Sequence, residues 1–121
     1  MKTILALASI ATLSLTVAAC GSSPSSPTPS SPGPDVTINI LGIQGANSYN
    51  PSPTTIKAGQ RVIWKNTDTR THDTIQDANA FSVPPISAGA QSDPITLSTP
   101  GTFTYHCGIH PSMTGTITVT P

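Results

Sequence analysis

The stretch from Thr102 to Met113, TFTYHCGIHPSM, changes part-way from the pattern of a β-strand to that of a short loop rich in metal-binding side chains. Its first half alternates strictly, so Phe103, Tyr105 and Cys107 are expected on one face of a strand. The residues after the cysteine form a tight loop with a glycine and a proline. The stretch therefore predicts a strand that delivers Cys107, with a defined side-chain direction, into that loop.

Outward from this stretch, the chain from Asp35 to Pro121 has the pattern of short strands between glycine and proline turns. Apolar and polar residues alternate along most of Val36–Leu41, as in a half-buried strand, and residues 77–93 are predicted to be irregular. Further strands are predicted at 54–60, 60–66, 72–76, 95–97, 102–107 and 114–120. Seven or eight short strands at this spacing, without helical periodicity, predict an all-β fold, a β-sandwich.

Three candidate metal ligands lie within seven residues, at Cys107, His110 and Met113. A fourth must come from elsewhere in the fold, and His72, 35 residues before the cysteine, is the candidate. Taken singly, such residues often have structural roles, since methionine fills cores. Two imidazoles and a thiolate with a distant thioether form the blue-copper arrangement, whereas methionine is a poor zinc ligand. The set predicts one copper ion that cycles between Cu(I) and Cu(II).

Residues 35–121 resemble the cupredoxins, and among them the amicyanin and plastocyanin group. The run 104–115 resembles the C-terminal copper loop of that family, with the amicyanin-like spacing of two residues between histidine and methionine. Residues 62–66, followed by 71–73, resemble the strand and turn that supply the first histidine. The resemblance implies a Greek-key β-sandwich that transfers single electrons between larger redox proteins. It also implies three equatorial ligands and one axial ligand, which are His72, Cys107 and His110, and Met113.

Three residues near these ligands are each expected to have a particular role. Asp73 stands where the family usually has asparagine; its carboxylate should favour Cu(II) and could weaken or reorganise the link between the two ligand loops. Ile109 stands where proline is common, so its N–H is expected to give the cysteine sulfur a second hydrogen bond and raise the reduction potential. His106 alternates away from the face of Cys107, which indicates a supporting or surface residue and not a ligand.

The N-terminal part predicts export. Residues 1–19 have the positive start and the charge-free apolar run of a signal peptide. The run 17–20, Val-Ala-Ala-Cys, resembles the bacterial lipobox, which implies cleavage before Cys20 and a lipid anchor on its thiol; an ordinary signal with an incidental cysteine is the alternative. Residues 20–34 are then the lipidated cysteine and a Pro/Ser-rich linker, able to reach roughly 40 Å in an extended form. Cys107 remains as a lone thiol, which metal ligation would occupy.

The charge of residues 35–121, the predicted copper-binding domain, argues against one class of partner. Four basic and five acidic side chains give no basic face for nucleic acid. The chain is expected to be a monomer, anchored at the extracytoplasmic face of a membrane in the cell envelope. Redox donor and acceptor proteins are expected to dock transiently on an apolar patch around His110, with candidate members Ile109, Pro111, Pro84 and Pro85.

Two other functions stay open at this point. The same four ligands would serve a copper storage or delivery protein, and a β-sandwich envelope lipoprotein would need no metal. An enzyme is disfavoured, because a four-ligand site has no open position for a substrate and no nucleophile–base pair is evident.

Overall fold

The computed structural model describes residues 33–121. The predicted signal peptide, the lipidation site at Cys20 and the linker up to residue 32 lie outside the described residues. Within residues 33–121, none of the helical structure is long and apolar enough to cross a membrane.

Nine strands make up almost all of the regular structure in the described part of the chain. They are β1 (Val36–Ile40), β2 (Tyr49–Asn50), β3 (Thr54–Lys57), β4 (Arg61–Asn66), β5 (His72–Gln76), β6 (Ser82–Ile86), β7 (Ile95–Thr96), β8 (Gly101–His106) and β9 (Thr114–Thr120). One short 3₁₀ helix, Gly45–Asn47, precedes β2. Burial alternates along β4, β5 and β9, so each of these strands turns one face to the core.

The strands form two sheets, in the orders β2-β1-β4-β7 and β3-β9-β8-β5-β6. Strand β1 is parallel to β4 and β3 is parallel to β9, while the remaining pairs are antiparallel. The chain passes repeatedly from one sheet to the other, because β1 and β4 belong to the first sheet whereas β3 and β5 belong to the second. The prediction of an all-β, Greek-key sandwich is confirmed.

An aromatic cluster fills the space between the sheets. The ring of Tyr105 meets those of Tyr49 and Trp64 edge-on, with centroids 4.8 and 5.8 Å away. Such pairs are each worth about 0.5–1.5 kcal/mol beyond the burial of their area. Gly115 lies opposite Tyr105 in β9, and a Cβ there would overlap the tyrosine ring, so the close approach of β8 and β9 requires glycine. The aromatic cluster and the hydrogen-bonded pair of β8 and β9 together fix the end of β8. Cys107 follows directly after that end.

The prediction of an irregular segment at 77–93 is wrong for residues 82–86, which form β6. The proline pair Pro84–Pro85 argued against a strand, since proline cannot donate to a ladder. Strand β6 lies at the edge of its sheet, where a missing donor leaves no neighbouring strand unpaired. Strand β2 has only two residues, Tyr49 and Asn50, too few for a recognisable alternation.

The two ends of the sandwich differ in what they carry. Strands β4 and β8 end, and β5 and β9 begin, at one end, where the loops 67–71 and 107–113 lie. We call this the metal-binding end. At the opposite end, Asp35 forms an ion pair with Arg61, at 2.6 Å between Oδ1 and Nε, and Gly33 lies against Gln60. The chain therefore enters the domain at the end remote from residues 107–113.

Candidate metal centre

Three of the four predicted ligands come together at the metal-binding end. His72 is the first residue of β5, Cys107 follows the last residue of β8, and His110 lies in the loop between β8 and β9. The Cys107 Sγ is 3.8 Å from the Nδ1 atoms of both histidines. Those two nitrogen atoms are 3.2 Å apart, and the set is a cluster able to hold a metal ion.

The spacing of these three atoms fits one metal ion. In a triangle with these sides, the point equidistant from the corners lies about 2.1 Å from each, and bonds from first-row metals to imidazole and thiolate are about 2.0–2.3 Å. A single ion could therefore lie at bonding distance from all three atoms. A thiolate with two imidazoles is a donor set that suits copper in both of its common oxidation states.

The short loop also holds the fourth candidate, Met113, whose side chain is fully buried. The Cys107 N–H donates to the Met113 carbonyl over 3.1 Å, and the Met113 N–H donates to the His110 carbonyl over 2.9 Å. These two hydrogen bonds hold the loop in a compact form. The backbone of Met113 therefore lies at the same end of the sandwich as Cys107. Cys107 and His72 are also fully buried, while His110 is only partly so and is the candidate ligand that reaches solvent.

The carboxylate of Asp73 links the two ligand loops. Its Oδ1 accepts hydrogen bonds from the backbone N–H groups of Gly108 and Ile109. The same oxygen lies 3.2 Å from the Cys107 sulfur. The two ligand loops are thus linked here through the aspartate side chain. The N–H of Ile109, predicted to bond to the sulfur, faces the sulfur and also donates to Asp73 Oδ1 over 3.3 Å.

Opposing influences act on the Cys107 thiol. Burial raises its pKa, whereas the backbone N–H groups of Asp73, His110 and Ile109 face the sulfur and lower it, and the net pKa is above the ordinary value. Because the thiolate is the form that binds a metal, an ion entering this site displaces a proton from the sulfur.

A second carboxylate, which sequence reasoning missed, contacts the ring of His72. The Asp68 Oδ2 lies 2.8 Å from His72 Nε2, the ring nitrogen that faces away from Cys107. This hydrogen bond is the main reason why the pKa of Asp68 is below its usual range. The only signal in the sequence was the position of Asp68, four residues before His72. That spacing is common in polar turns, so it does not by itself predict a contact.

His106 lies outside the cluster of candidate ligands, on the other side of its strand. Its Nδ1 is 2.7 Å from Asp77 Oδ1. Hydrogen bonds from Thr104 and then His106 lower the pKa of that carboxyl. The placement agrees with the expectation that His106 is a supporting or surface residue.

The metal-binding end also carries exposed apolar side chains. Ile109 is 48% exposed, and Leu41 and Ile43, in the segment after β1, are each 41% exposed. That segment lies beside the ligand loops, because Gly42 approaches the Asp68 carboxylate and Gly45 approaches the Ser112 carbonyl. We call Leu41, Ile43 and Ile109 the apolar patch. Pro84 and Pro85, also expected in such a patch, line a cleft of about 260 Å³ with residues 90–93, and Pro111 is exposed in the ligand loop.

The profile of the Cupredoxin-like domain family matches residues 6–119 of the chain. The protein is a member of this family. A plastocyanin from Scenedesmus fuscus is 35% identical to this cupredoxin over 97 residues, which cover 70% of this chain and 99% of the plastocyanin. A plastocyanin from Rumex obtusifolius is 26% identical over 98 residues, covering 69% of this chain and 99% of the relative.

Solved structures give the same fold for this cupredoxin. A purple cupredoxin from Nitrosopumilus maritimus superposes with a TM-score of 0.63 at 29% identity, covering 71% of this chain and all of the other. A copper-containing nitrite reductase from Thermus scotoductus also gives 0.63, at 30% identity, with 72% of this chain matched to 22% of the enzyme. A Cu(I) amicyanin variant gives 0.62 at 21% identity, covering 71% and 82%, a likeness of fold alone.

Proposed function

We propose that this cupredoxin is a type 1, or blue, copper protein that carries single electrons between redox partners at the cell envelope. The observation that carries the proposal is the triangle of Cys107 Sγ and the Nδ1 atoms of His72 and His110, whose sides match one copper ion. Met113, buried in the same loop, would be the fourth ligand. Copper supplies a one-electron change between Cu(I) and Cu(II).

The protein's own part is to keep the ligands in one arrangement. His72 starts a strand, Cys107 follows one, and backbone hydrogen bonds close the loop between Cys107 and Met113. Side chains held in this way change little between oxidation states, which favours fast electron transfer. Full burial of the sulfur and of the His72 ring keeps water from them. The partly exposed His110 ring is then the proposed route for the electron.

The proposed docking surface is the apolar patch at the same end of the sandwich. An exposed apolar area of this kind suits brief encounters with partners, for which small interfaces are sufficient. The proposed site has four protein ligands and no position for a substrate, so we propose a carrier and not an enzyme. Although the nitrite reductase neighbour is an enzyme, this chain matches only 22% of its length.

The proposed location is the extracytoplasmic side of a membrane, with the lipid anchor on Cys20 and residues 21–34 as a linker. Residues 33–35 enter the domain at the end opposite the ligand loops. An anchored molecule would therefore point its proposed copper site away from the membrane, toward a partner in the surrounding compartment.

Repeated redox cycles of the copper-loaded protein in the presence of a Cu(I) chelator test this function. An electron carrier is expected to regain its full blue absorbance after each reduction and oxidation, because its ligands hold both states. The Cys107→Ser variant is the control, and metal analysis should show that its copper passes to the chelator in the first cycle. Transfer of the copper from the wild-type protein to the chelator on reduction would instead favour storage or delivery.

A further inference from the structure

We propose that Asp68 is a positioning residue of the copper site, whose carboxylate holds the His72 ring and lowers the reduction potential of the bound copper. The part concerning the potential rests on the function proposed above. The part concerning the ring does not, since it is a statement about the protein without metal.

The contact is aimed at the correct atom of the ring. The distance from Asp68 Oδ2 to His72 Nε2 is 2.8 Å, a good hydrogen bond. A neutral histidine carries its proton on one nitrogen, so a proton donated from Nε2 to the carboxylate leaves the lone pair on Nδ1. Nδ1 is the nitrogen that faces Cys107 at 3.8 Å. The ring is fully buried, and a buried ring N–H of this kind requires a hydrogen-bond partner.

Asp68 is itself held in place by the side chain of Asn66. Its backbone N–H donates to the side-chain oxygen of Asn66 over 3.0 Å. Asn66 is fully buried, and its amide nitrogen donates to the carbonyls of Arg70 and Ile86 at 2.6 and 2.9 Å. The turn between β4 and β5 is thus fixed at both ends, and it presents the carboxylate to His72.

The neighbouring segment leaves room for this carboxylate. Gly42 has a φ of +114°, a conformation that favours glycine. A Cβ at this position would lie 3.2 Å from both the Cγ and the Oδ2 of Asp68, which is tighter than normal contact. The backbone at Gly42 therefore packs directly over the carboxylate and limits its contact with solvent to a side-chain exposure of 21%.

The expected effect on the copper follows from the charge. A carboxylate that accepts the proton of a ligating histidine raises the basicity of the ring and so strengthens its bond to the metal. Cu(II) gains more from this than Cu(I) because it carries the higher charge. Asp68 on the histidine side and Asp73 on the sulfur side therefore both favour the oxidised state.

Two substitutions separate the charge of Asp68 from its hydrogen bond. Asp68→Asn removes the charge and keeps an oxygen that can accept the His72 proton, whereas Asp68→Ala removes both. For Asp68→Ala we expect at least a tenfold loss of Cu(II) affinity relative to Cu(I), which is a rise in potential of about 59 mV. Asp68→Asn is expected to shift the potential in the same direction by a smaller amount.

Asp77→Asn is the matched control. It removes the same charge from a carboxylate that bonds to His106, a histidine outside the ligand cluster, at a similar distance of 2.7 Å. The potential of this variant should stay close to that of the wild-type protein. Equal shifts in Asp77→Asn and Asp68→Asn would overturn the proposal, because they would show a general charge effect.

The metal-free protein gives a second readout that does not depend on copper. Nitrogen NMR of the wild-type His72 ring should show the proton on Nε2, and Asp68→Ala should shift the ring toward a mixture of tautomers. An unchanged tautomer in Asp68→Ala together with an unchanged potential would overturn the proposal. A wild-type protein that fails to become blue with copper would contradict the proposed function, while the NMR experiment would still decide whether Asp68 positions the ring.

Discussion

The Asp73 Oδ1 lies 3.2 Å from the sulfur of Cys107, close enough for a carboxylate and a thiolate to influence each other directly. Without a metal, the thiol can donate its proton to this oxygen. With the proton displaced by a metal, two negative charges remain side by side. The N–H groups of Gly108 and Ile109, which both donate to the same oxygen, partly offset that repulsion.

Asp73→Asn is expected to raise the reduction potential by about 60–120 mV, the equivalent of a 10- to 100-fold change in relative affinity. The substitution removes a negative charge beside the sulfur but keeps an oxygen that can accept the Gly108 N–H. Voltammetry of the loaded protein measures the shift, and the blue absorbance should remain. A potential equal to or below that of the wild-type protein would contradict the role given to this carboxylate.

Ile109→Pro is expected to lower the potential by about 20–60 mV, which corresponds to about 0.5–1.5 kcal/mol, the net worth of a typical hydrogen bond. Proline removes the N–H that donates to Asp73 and faces the sulfur, so less positive charge offsets the carboxylate and the thiolate. Ile109→Ala is the control, because it keeps the N–H and should leave the potential unchanged. A proline variant with an unchanged potential would contradict the role given to this N–H.

A lysine on the apolar patch should slow electron exchange between two copies of the protein. Ile43→Lys places like charges face to face when two molecules meet by their metal-binding ends, and we expect at least a tenfold lower self-exchange rate at low ionic strength. NMR line broadening in mixtures of the oxidised and reduced forms measures this rate. Thr102→Lys, exposed at the opposite end of the sandwich, is the control and should have little effect.

Copper binding is expected to release about one proton from Cys107 at neutral pH. Burial holds the pKa of this thiol above its ordinary value, so the metal-free protein carries the proton at pH 7 and gives it up to form the thiolate. Apparent Cu(II) affinity should therefore rise with pH until the thiol ionises. A pH indicator in weakly buffered solution records the release, and Cys107→Ser should lose this proton. Equal release from both proteins would exclude the sulfur as its source.

Much of the fold could be predicted from local pattern, because alternation reports directly on which strand face is buried. The alternation that ends at Cys107 correctly indicated β8 and the burial of Tyr105. Strand β6 was missed since its prolines, Pro84 and Pro85, are tolerated only at a sheet edge, and edges are a property of the assembled sheet.

The site was predictable to the extent that its residues share a short loop. His72 was only a candidate on the residues alone, as 35 residues separate it from Cys107, and the resemblance to the family supported it. The contact between Asp68 and His72 was beyond reach, because it depends on how the turn after β4 packs against Gly42. The bond from the Ile109 N–H to Asp73 was likewise beyond reach, because only the folded loop brings that carboxylate within range.

The central claim is that Cys107, His72 and His110 hold one copper ion with sulfur-to-copper bonding. A titration of the metal-free protein with Cu(II), followed by visible absorbance, tests it most directly. We expect an intense blue colour that saturates at about one copper per chain and is absent from Cys107→Ser. A colourless wild-type protein, or equal colour in the serine variant, would contradict it.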